Sequence, residues 1–325
     1  MPATRILFMG TPDFALPALE ALHAASASAG WKLVGVVTQP DRRAGRGKKL
    51  IAGPVKSFAL DHCLPVMQPE RLRRGNLSED GGQTEILECL RMLTPDLIVV
   101  AAYGQILPPR LLEVPTFGCL NVHASLLPVY RGASPITAAL LDGLNATGVT
   151  IMLMDEGMDT GPVLTQARLP IRASETADAL SRRLAARGAD LLTETVPRWL
   201  AGDIAPVAQS DLAGEPSICR LVKKQDGLID WTLPAARIER MVRAYAPWPA
   251  AYTAWKGQNF KLWQSGVIAG EAEPGLVVEV NGHVAVGTAD GLLALHEVQP
   301  AGKKRMTLAA FLNGAPDFIG SRLGV

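Results

Sequence analysis

Arg5-Ile6-Leu7-Phe8-Met9 runs directly into Gly10-Thr11-Pro12-Asp13. The first five residues form a short apolar run of the kind a buried strand makes, and the next four turn the chain. Thr11 suits a helix N-cap, and Pro12 suits the first helical position, where its missing N–H costs nothing. Phe14 to Ala25 then carries helical periodicity, and Lys32 to Thr38 is a second strand rich in valine. Strand, helix and strand in that order make a βαβ unit and predict an α/β fold with a parallel sheet. The unit lacks GxGxxG. Thr38-Gln39 also stand where a dinucleotide-binding fold carries an acidic residue at the end of its second strand. Both features argue against a nicotinamide-dependent oxidoreductase.

The same alternation continues outward. Gln39 to Gly53 is a loop of unusual composition, and Pro54 to Leu60 begins a helix. Gly75 to Gln83 is a polar, Gly-rich surface insert, and Thr84 to Leu93 is helical. Leu97 to Tyr103 is almost continuously apolar, as a strand buried on both faces must be. Leu120 to His123, Gly148 to Met154 and Val163 to Leu169 are further strands, with a helix at Ser134 to Leu144. Ser174 to Ala201 is a long amphipathic helix with Ser174 as its N-cap. Gly202 to Ser217 is polar with Pro and Gly and is taken as a linker, which gives domains at 1–201 and 218–325. Beyond it, a helix at Pro234 to Tyr245 precedes short alternating runs separated by Asn281-Gly282 and Asp290-Gly291. These runs are Tyr252 to Trp255, Phe260 to Val267, Gly275 to Val280, His283 to Gly287 and Leu292 to Val298, and they predict a small β-barrel.

Composition bounds the function. The 325 residues are 48% hydrophobic and 19% charged, ordinary for a globular protein with a real core. A net charge of +1 gives no whole-chain reason to expect nucleic acid or membrane. Beyond Ser217, however, 12 Lys and Arg stand against 9 Asp and Glu, so the second part is the more basic. Cys63, Cys89, Cys119 and Cys219 are widely spaced and form no CxxC pair, so they read as buried hydrophobes in a reducing compartment. No His/Cys cluster has metal-ligand spacing, and no metal is expected. There is neither a signal-peptide pattern nor a run long enough to cross a bilayer, which points to a cytoplasmic protein that does not contact a membrane.

Two segments carry chemistry. In Asn121-Val122-His123, two polar side chains share one face of a strand end, just before the loop Ala124-Ser125-Leu126-Leu127-Pro128. Ligands of α/β proteins bind outside the carboxyl ends of strands. In Met154-Asp155-Glu156-Gly157-Met158-Asp159-Thr160-Gly161-Pro162, a turn tightened by two glycines presents Asp159. A carboxylate there, close to a histidine, can orient the ring or a water for proton transfer. Taken singly, the first pair also fits ordinary satisfaction of loop backbone, and the second fits a surface Asx-turn.

Together, Asn121-x-His123-x-Ser125-Leu126-Leu127-Pro128-x-Tyr130-Arg131-Gly132 and Met154-Asp155-x-Gly157-x-Asp159-Thr160-Gly161 resemble the signature of the folate-dependent formyltransferases. Phe8-Met9-Gly10-Thr11-Pro12-Asp13-Phe14-Ala15 is similar to that family's first strand and turn. Ile229-Asp230-Trp231, Pro247-Trp248-Pro249 and Gln299-Pro300-Ala301-Gly302-Lys303-Lys304 extend the resemblance over almost the whole chain. It implies a Rossmann-like parallel or mixed sheet followed by a smaller, OB-like C-terminal β-barrel. It implies 10-formyltetrahydrofolate as formyl donor, with Asn121, His123 and Asp159 as catalytic residues. Ser125, Leu126, Leu127, Pro128, Gln105, Ile106, Leu107 and Asp155 would line the folate site. Two positions depart from the family pattern: Ala124 stands in place of glycine and Pro162 in place of aspartate.

The acceptor is decided elsewhere. Arg42, Arg43, Arg46, Lys48 and Lys49 interleave with Gly45 and Gly47 directly after the second strand. Such a basic run is either a solvated loop or a phosphate grip near the strand-end crevice. It resembles the basic loop of those family members that act on tRNA, and it implies initiator methionyl-tRNA as partner. Lys303 and Lys304 would extend the basic track, and no obligate protein partner is marked. A small amine acceptor, glycinamide ribonucleotide or an amino-sugar nucleotide, is the alternative on the same core. A non-catalytic RNA-binding protein would keep the basic loop without needing Asn121, His123 and Asp159.

Overall fold

In the computed structural model, β1 (Thr4–Gly10), α1 (Leu16–Ala29) and β2 (Trp31–Val37) form the expected βαβ unit, with β1 and β2 parallel. Residues 3–44, 49–72 and 82–324 are described. Thr11 and Pro12 do not start α1. Residues 12–16 make a separate turn, through Ala15 N–H to Pro12 O and Leu16 N–H to Asp13 O, and the proline in the first helical turn is Pro17. The Thr11 hydroxyl instead accepts from the Gln39 N–H at 3.1 Å, tying the exit of β1 to the exit of β2.

The segment read as a loop from Gln39 holds a two-stranded antiparallel hairpin, β3 (Arg42–Ala44) and β4 (Lys49–Ile51). Next come α2 (Pro54–Asp61), β5 (Val66–Met67), α3 (Gly82–Met92), β6 (Leu97–Ala101) and α4 (Pro109–Leu112). Most of the Gly-rich insert, residues 75–81, lies outside the described residues. The remaining elements of this half are β7 (Cys119–His123), β8 (Arg131–Gly132), α5 (Pro135–Leu141), β9 (Ala146–Leu153), β10 (Val163–Pro170) and α6 (Ala177–Leu200). Ser174 lies outside α6. Thr176, not Ser174, caps it, accepting the Ala179 N–H at 3.4 Å.

Seven strands form one sheet in the order β10-β9-β7-β6-β1-β2-β5. β5, β2, β1, β6 and β7 are parallel, and β9 runs antiparallel to β7, so the sheet is mixed. β6, at its centre, is apolar throughout because both faces are covered. Leu7, Met9, Val37, Ile98, Val100, Leu111 and Cys119 lie in one buried cluster.

Chain contacts divide the protein into two compact units. The first comprises Met1–Gly132, Thr147–Pro170 and Ser181–Ile218, and the second comprises Ala133–Ala146, Ile171–Leu180 and Cys219–Val325. The stretch 202–217, expected as a linker, therefore belongs to the first unit. Val207 pairs with Val163, and Gln209–Asp211 make a turn of 3-10 helix.

β11 (Ile218–Cys219) stands where the chain passes from the first unit to the second, which then carries α7 (Ala235–Ala244), β12 (Ala251–Trp255), β13 (Gln258–Ile268), β14 (Val277–Val280), β15 (His283–Gly287), β16 (Leu292–Pro300), β17 (Met306–Thr307) and α8 (Leu308–Leu312). The antiparallel sheet runs β12-β13-β16-β15-β14, with β17 on β16. Asn281 and Gly282 have φ of 51° and 76°, as a tight hairpin turn requires. The segment Gly320–Gly324 links the two edge strands. Gly320 N–H and Val277 O pair at 2.8 Å, Leu323 N–H donates to Gly275 O at 2.8 Å, and Gly324 N–H donates to Ala254 O at 2.9 Å. Trp255, Phe260, Phe311 and Phe318 fill the interior, with ring centroids 5.0–6.2 Å apart. Arg237, Arg240 and Arg243 form one stripe of α7. Arg237 donates to Leu141 O and Arg240 to Asp142 O, capping carbonyls that α5 leaves without helical partners.

Candidate active site

β7 delivers Asn121 and His123 because a strand alternates its side chains, so residues two apart share a face. Opposite them, β9 ends at Leu153 and turns through Asp155–Gly161. Three groups that lie far apart in sequence converge here. Asn121 Nδ2 donates to Asp159 Oδ1 at 3.3 Å, and His123 Nδ1 lies 3.6 Å from Asp159 Oδ2. His123 is 5% exposed. Its Nε2 lies 2.9 Å from the Tyr130 carbonyl oxygen. A carbonyl only accepts, so Nε2 carries the hydrogen and Nδ1 faces the carboxylate.

Asp159 is held from several sides. The Gly132 N–H donates to Oδ2 at 2.8 Å. The Gln209 amide donates to the backbone oxygens of Asp159 and Gly161, both at 2.8 Å. Asp159 has φ of 53°, a conformation that costs a non-glycine residue about 1–3 kcal/mol and clusters at functional sites. Gly161 is fixed by space: a Cβ there would lie 1.9 Å from the Leu153 carbonyl oxygen. Asp155 stabilises the turn from within, accepting from Gly157 N–H at 3.0 Å and from the Thr160 hydroxyl at 2.8 and 2.9 Å. Ala124 has negative φ, so the methyl that replaces a hydrogen there is accommodated.

Ser125–Pro128 form a stapled loop. The Ser125 hydroxyl donates to Val129 O at 2.6 Å, Thr150 Oγ1 accepts Leu127 N–H at 3.2 Å, and Gln166 donates to Leu127 O at 2.8 Å. Ser125, Leu127 and Pro128 are buried, Leu127 against Met152 and Val163, and Leu126 is half-buried. After β6, the Gln105 side chain is committed to its own unit: its Oε1 accepts Leu72 N–H at 2.8 Å. Leu107 is buried and Ile106 is exposed. Cys119, two residues before Asn121, is no nucleophile, since burial pushes its thiol up to about 12.

Arg46 and Lys48 lie outside the described residues, and the backbones of Arg42, Arg43 and Lys49 form the β3–β4 hairpin. At the hairpin base, Asp41 pairs with Lys56 at 2.6 Å and accepts from Gln68 at 2.8 Å, which holds its carboxyl below the usual range. Lys303 and Lys304 are exposed in the turn after β16. Among the described residues, no group of three or more His, Cys, Asp or Glu is placed to hold a metal ion. No helix of the described residues is long and apolar enough to cross a membrane.

Sequence reasoning did not find Gln209, the Tyr130 carbonyl or the Gly132 N–H. Gln209 sits in a polar stretch with no periodicity. Tyr130 and Gly132 act through backbone, which their side chains do not reveal, although both stand in the motif quoted above.

Both parts of the chain have counterparts among known proteins. Residues 4–196 match the formyl transferase family, and residues 221–316 match the formyl transferase C-terminal domain. A methionyl-tRNA formyltransferase of Chloroflexus aggregans is 47% identical over 314 residues, covering 95% of this chain and 97% of that protein. In fold, the chain is similar to HypX from Aquifex aeolicus in complex with tetrahydrofolic acid. The TM-score is 0.62 at 17% identity, over 97% of this chain and 48% of that longer one. It is also similar to WlaRD, a sugar 3N-formyl transferase, with a TM-score of 0.64 at 16% identity over 94% of this chain and 100% of that one. With both parts matched and a relative at this identity over nearly its full length, the chain belongs to the formyl transferase family.

Proposed function

We propose that the protein transfers the formyl group of 10-formyltetrahydrofolate to the α-amino group of initiator methionyl-tRNA, giving N-formylmethionyl-tRNA for translation initiation in the cytoplasm. The observation that carries this is the convergence of Asn121, His123 and Asp159 within hydrogen-bond or ion-pair distance at the end of β7. The identity to methionyl-tRNA formyltransferases over nearly the whole chain supports the acceptor.

The donor supplies a formyl carbon bonded to an arylamine nitrogen, N10, which is the leaving group. An α-amine has an ordinary pKa near ~8, so part of it is neutral and nucleophilic at neutral pH, and no covalent enzyme intermediate is required. One hydrogen of the Asn121 amide is used on Asp159, and the other is available to the oxyanion that forms at the formyl carbon. A donor of this kind contributes about 3 kcal/mol to the transition state. Asp159, directly or through water, takes the proton that the attacking amine loses and passes it to His123 Nδ1, which faces its carboxylate and delivers that proton to N10. The new C–N bond replaces the old one and the proton count balances.

The half-buried Leu126 and exposed Ile106 offer apolar surface to the folate. Backbone at 105–107 and in the 155–159 turn supplies donors and acceptors for the pterin edge. Arg42, Arg43, Arg46, Lys48, Lys49, Lys303 and Lys304 contact tRNA phosphates, which positions the acceptor end without reading its sequence.

The test is formyl transfer from 10-formyltetrahydrofolate to methionyl-tRNA by the wild type, beside Asn121→Ala, His123→Ala and Asp159→Asn. Removing the Asn121 donor is expected to lower kcat by about 10²- to 10³-fold. Wild-type activity on an amino-sugar nucleotide and none on methionyl-tRNA would overturn the assignment.

A further inference from the structure

Gln209 is a buried polar side chain to which the reaction above gives no task. It is 4% exposed, and it makes three hydrogen bonds to segments 48 or more residues away in sequence. Its amide nitrogen spends both hydrogens, on Asp159 O and Gly161 O at 2.8 Å each, and its Oε1 accepts from Arg131 Nε at 2.9 Å. The two segments it joins are the two that enclose His123. Arg131 lies between Tyr130, whose carbonyl takes the His123 Nε2 hydrogen, and Gly132, whose N–H donates to Asp159 Oδ2. The other segment carries the carboxylate that faces His123 Nδ1. One side chain thus connects the group on each side of the imidazole. It also braces a residue in the left-handed region, which a non-glycine side chain holds only when its surroundings fix it. Only an amide suits this place. A carboxylate would face two carbonyl oxygens with no hydrogen to give, and an aliphatic chain would take this donor from both oxygens and this acceptor from Arg131 Nε.

We propose that Gln209 is a positioning residue for formyl transfer. It sets the Asp159–His123 geometry by tying the 159–161 turn to the 130–132 segment, and it touches no substrate. This rests on the assignment of Asn121, His123 and Asp159 given above.

The experiment compares wild type with Gln209→Leu, which removes all three hydrogen bonds, and Gln209→Glu, which keeps size and the acceptor for Arg131 but removes both donors. Steady-state kinetics with both substrates, melting temperature and the ¹⁵N resonances of the His123 ring are read for each. Both variants are expected to lose kcat by about 10- to 100-fold while KM for folate and tRNA stays within about twofold. The His123 ring resonances are expected to shift in both. A folded Gln209→Leu with wild-type kcat overturns the proposal, as does a loss confined to KM with unmoved resonances. If Gln209→Leu melts below the assay temperature, Gln209→Glu decides by the same criteria. Absence of formyl transfer to methionyl-tRNA by the wild type refutes the proposed reaction instead. The resonances then decide alone: a shift in both variants supports the positioning role, and none overturns it.

Discussion

Gly161 shows how little room the Asp155–Gly161 turn has. With a Cβ 1.9 Å from the Leu153 oxygen, Gly161→Ala must push the 159–161 backbone away from β9, and Asp159 moves with it. The expected outcome is a stability loss of about 1–3 kcal/mol by denaturant titration, together with a fall in kcat. A folded alanine variant of unchanged stability and kcat would show that the turn relaxes freely. The placement of Asn121 and His123 on one face of a strand end was legible in the sequence because its information is local: two polar residues, a period of two, and a strand end. Asp159 was legible only as a candidate, since its distance to His123 depends on how β7 and β9 pair. Thr11 was misread for a related reason. Its local signals are those of a helix cap, but its hydroxyl is taken by Gln39, 28 residues away, which no window of neighbouring residues contains.

Elements divide in the same way. The strands of the first sheet announced themselves by apolar runs, whereas the β3–β4 hairpin did not, because its composition is that of a basic loop. That hairpin is where the tRNA assignment is tested. Arg42→Ala with Arg46→Ala is expected to raise KM for tRNA and flatten the dependence of log KM on log salt, with KM for folate unchanged. Unaltered tRNA kinetics would remove the hairpin from the interface. A second prediction concerns the turn before α7, where the Arg220 guanidinium holds the Asp226 carboxyl down to about 2, from an ordinary 3.8. A depressed carboxylate stabilises the fold fully above the ordinary value, and that contribution is lost as pH falls through the depressed one. Urea titrations of wild type and Arg220→Ala should therefore show a stability gap that is constant near neutrality and closes between pH 3.8 and about 2. A gap independent of pH would mean that Arg220 acts by packing alone.

At the scale of the molecule, the surplus of positive charge beyond Ser217 is less available than the count suggests. Arg220, Arg305 and Arg322 pair with Asp226, Glu297 and Glu273, Lys256 pairs with Asp317, and three arginines of α7 serve carbonyls or Glu239. The antiparallel strands were legible from their turns, but the link between the edge strands was not, because Gly320–Gly324 has no strand pattern. A chain ended at Ile319 loses that link and the burial of Leu323, worth about 2 kcal/mol. The expected result is a lower melting temperature and faster loss of amide protection confined to the second unit; an unchanged melting temperature would show that the sheet does not depend on the link. The division into units was the least legible feature, because the second unit is discontinuous. α5 is completed early, yet the guanidinium that caps Leu141 belongs to a residue 96 positions later. At translation rates of about 5–20 residues per second, α5 leaves the ribosome several seconds before that arginine exists. During that interval its last carbonyls are served by water or by a chaperone, so the newborn protein passes through a stage in which its first sheet can assemble while the second unit waits for its remaining sequence.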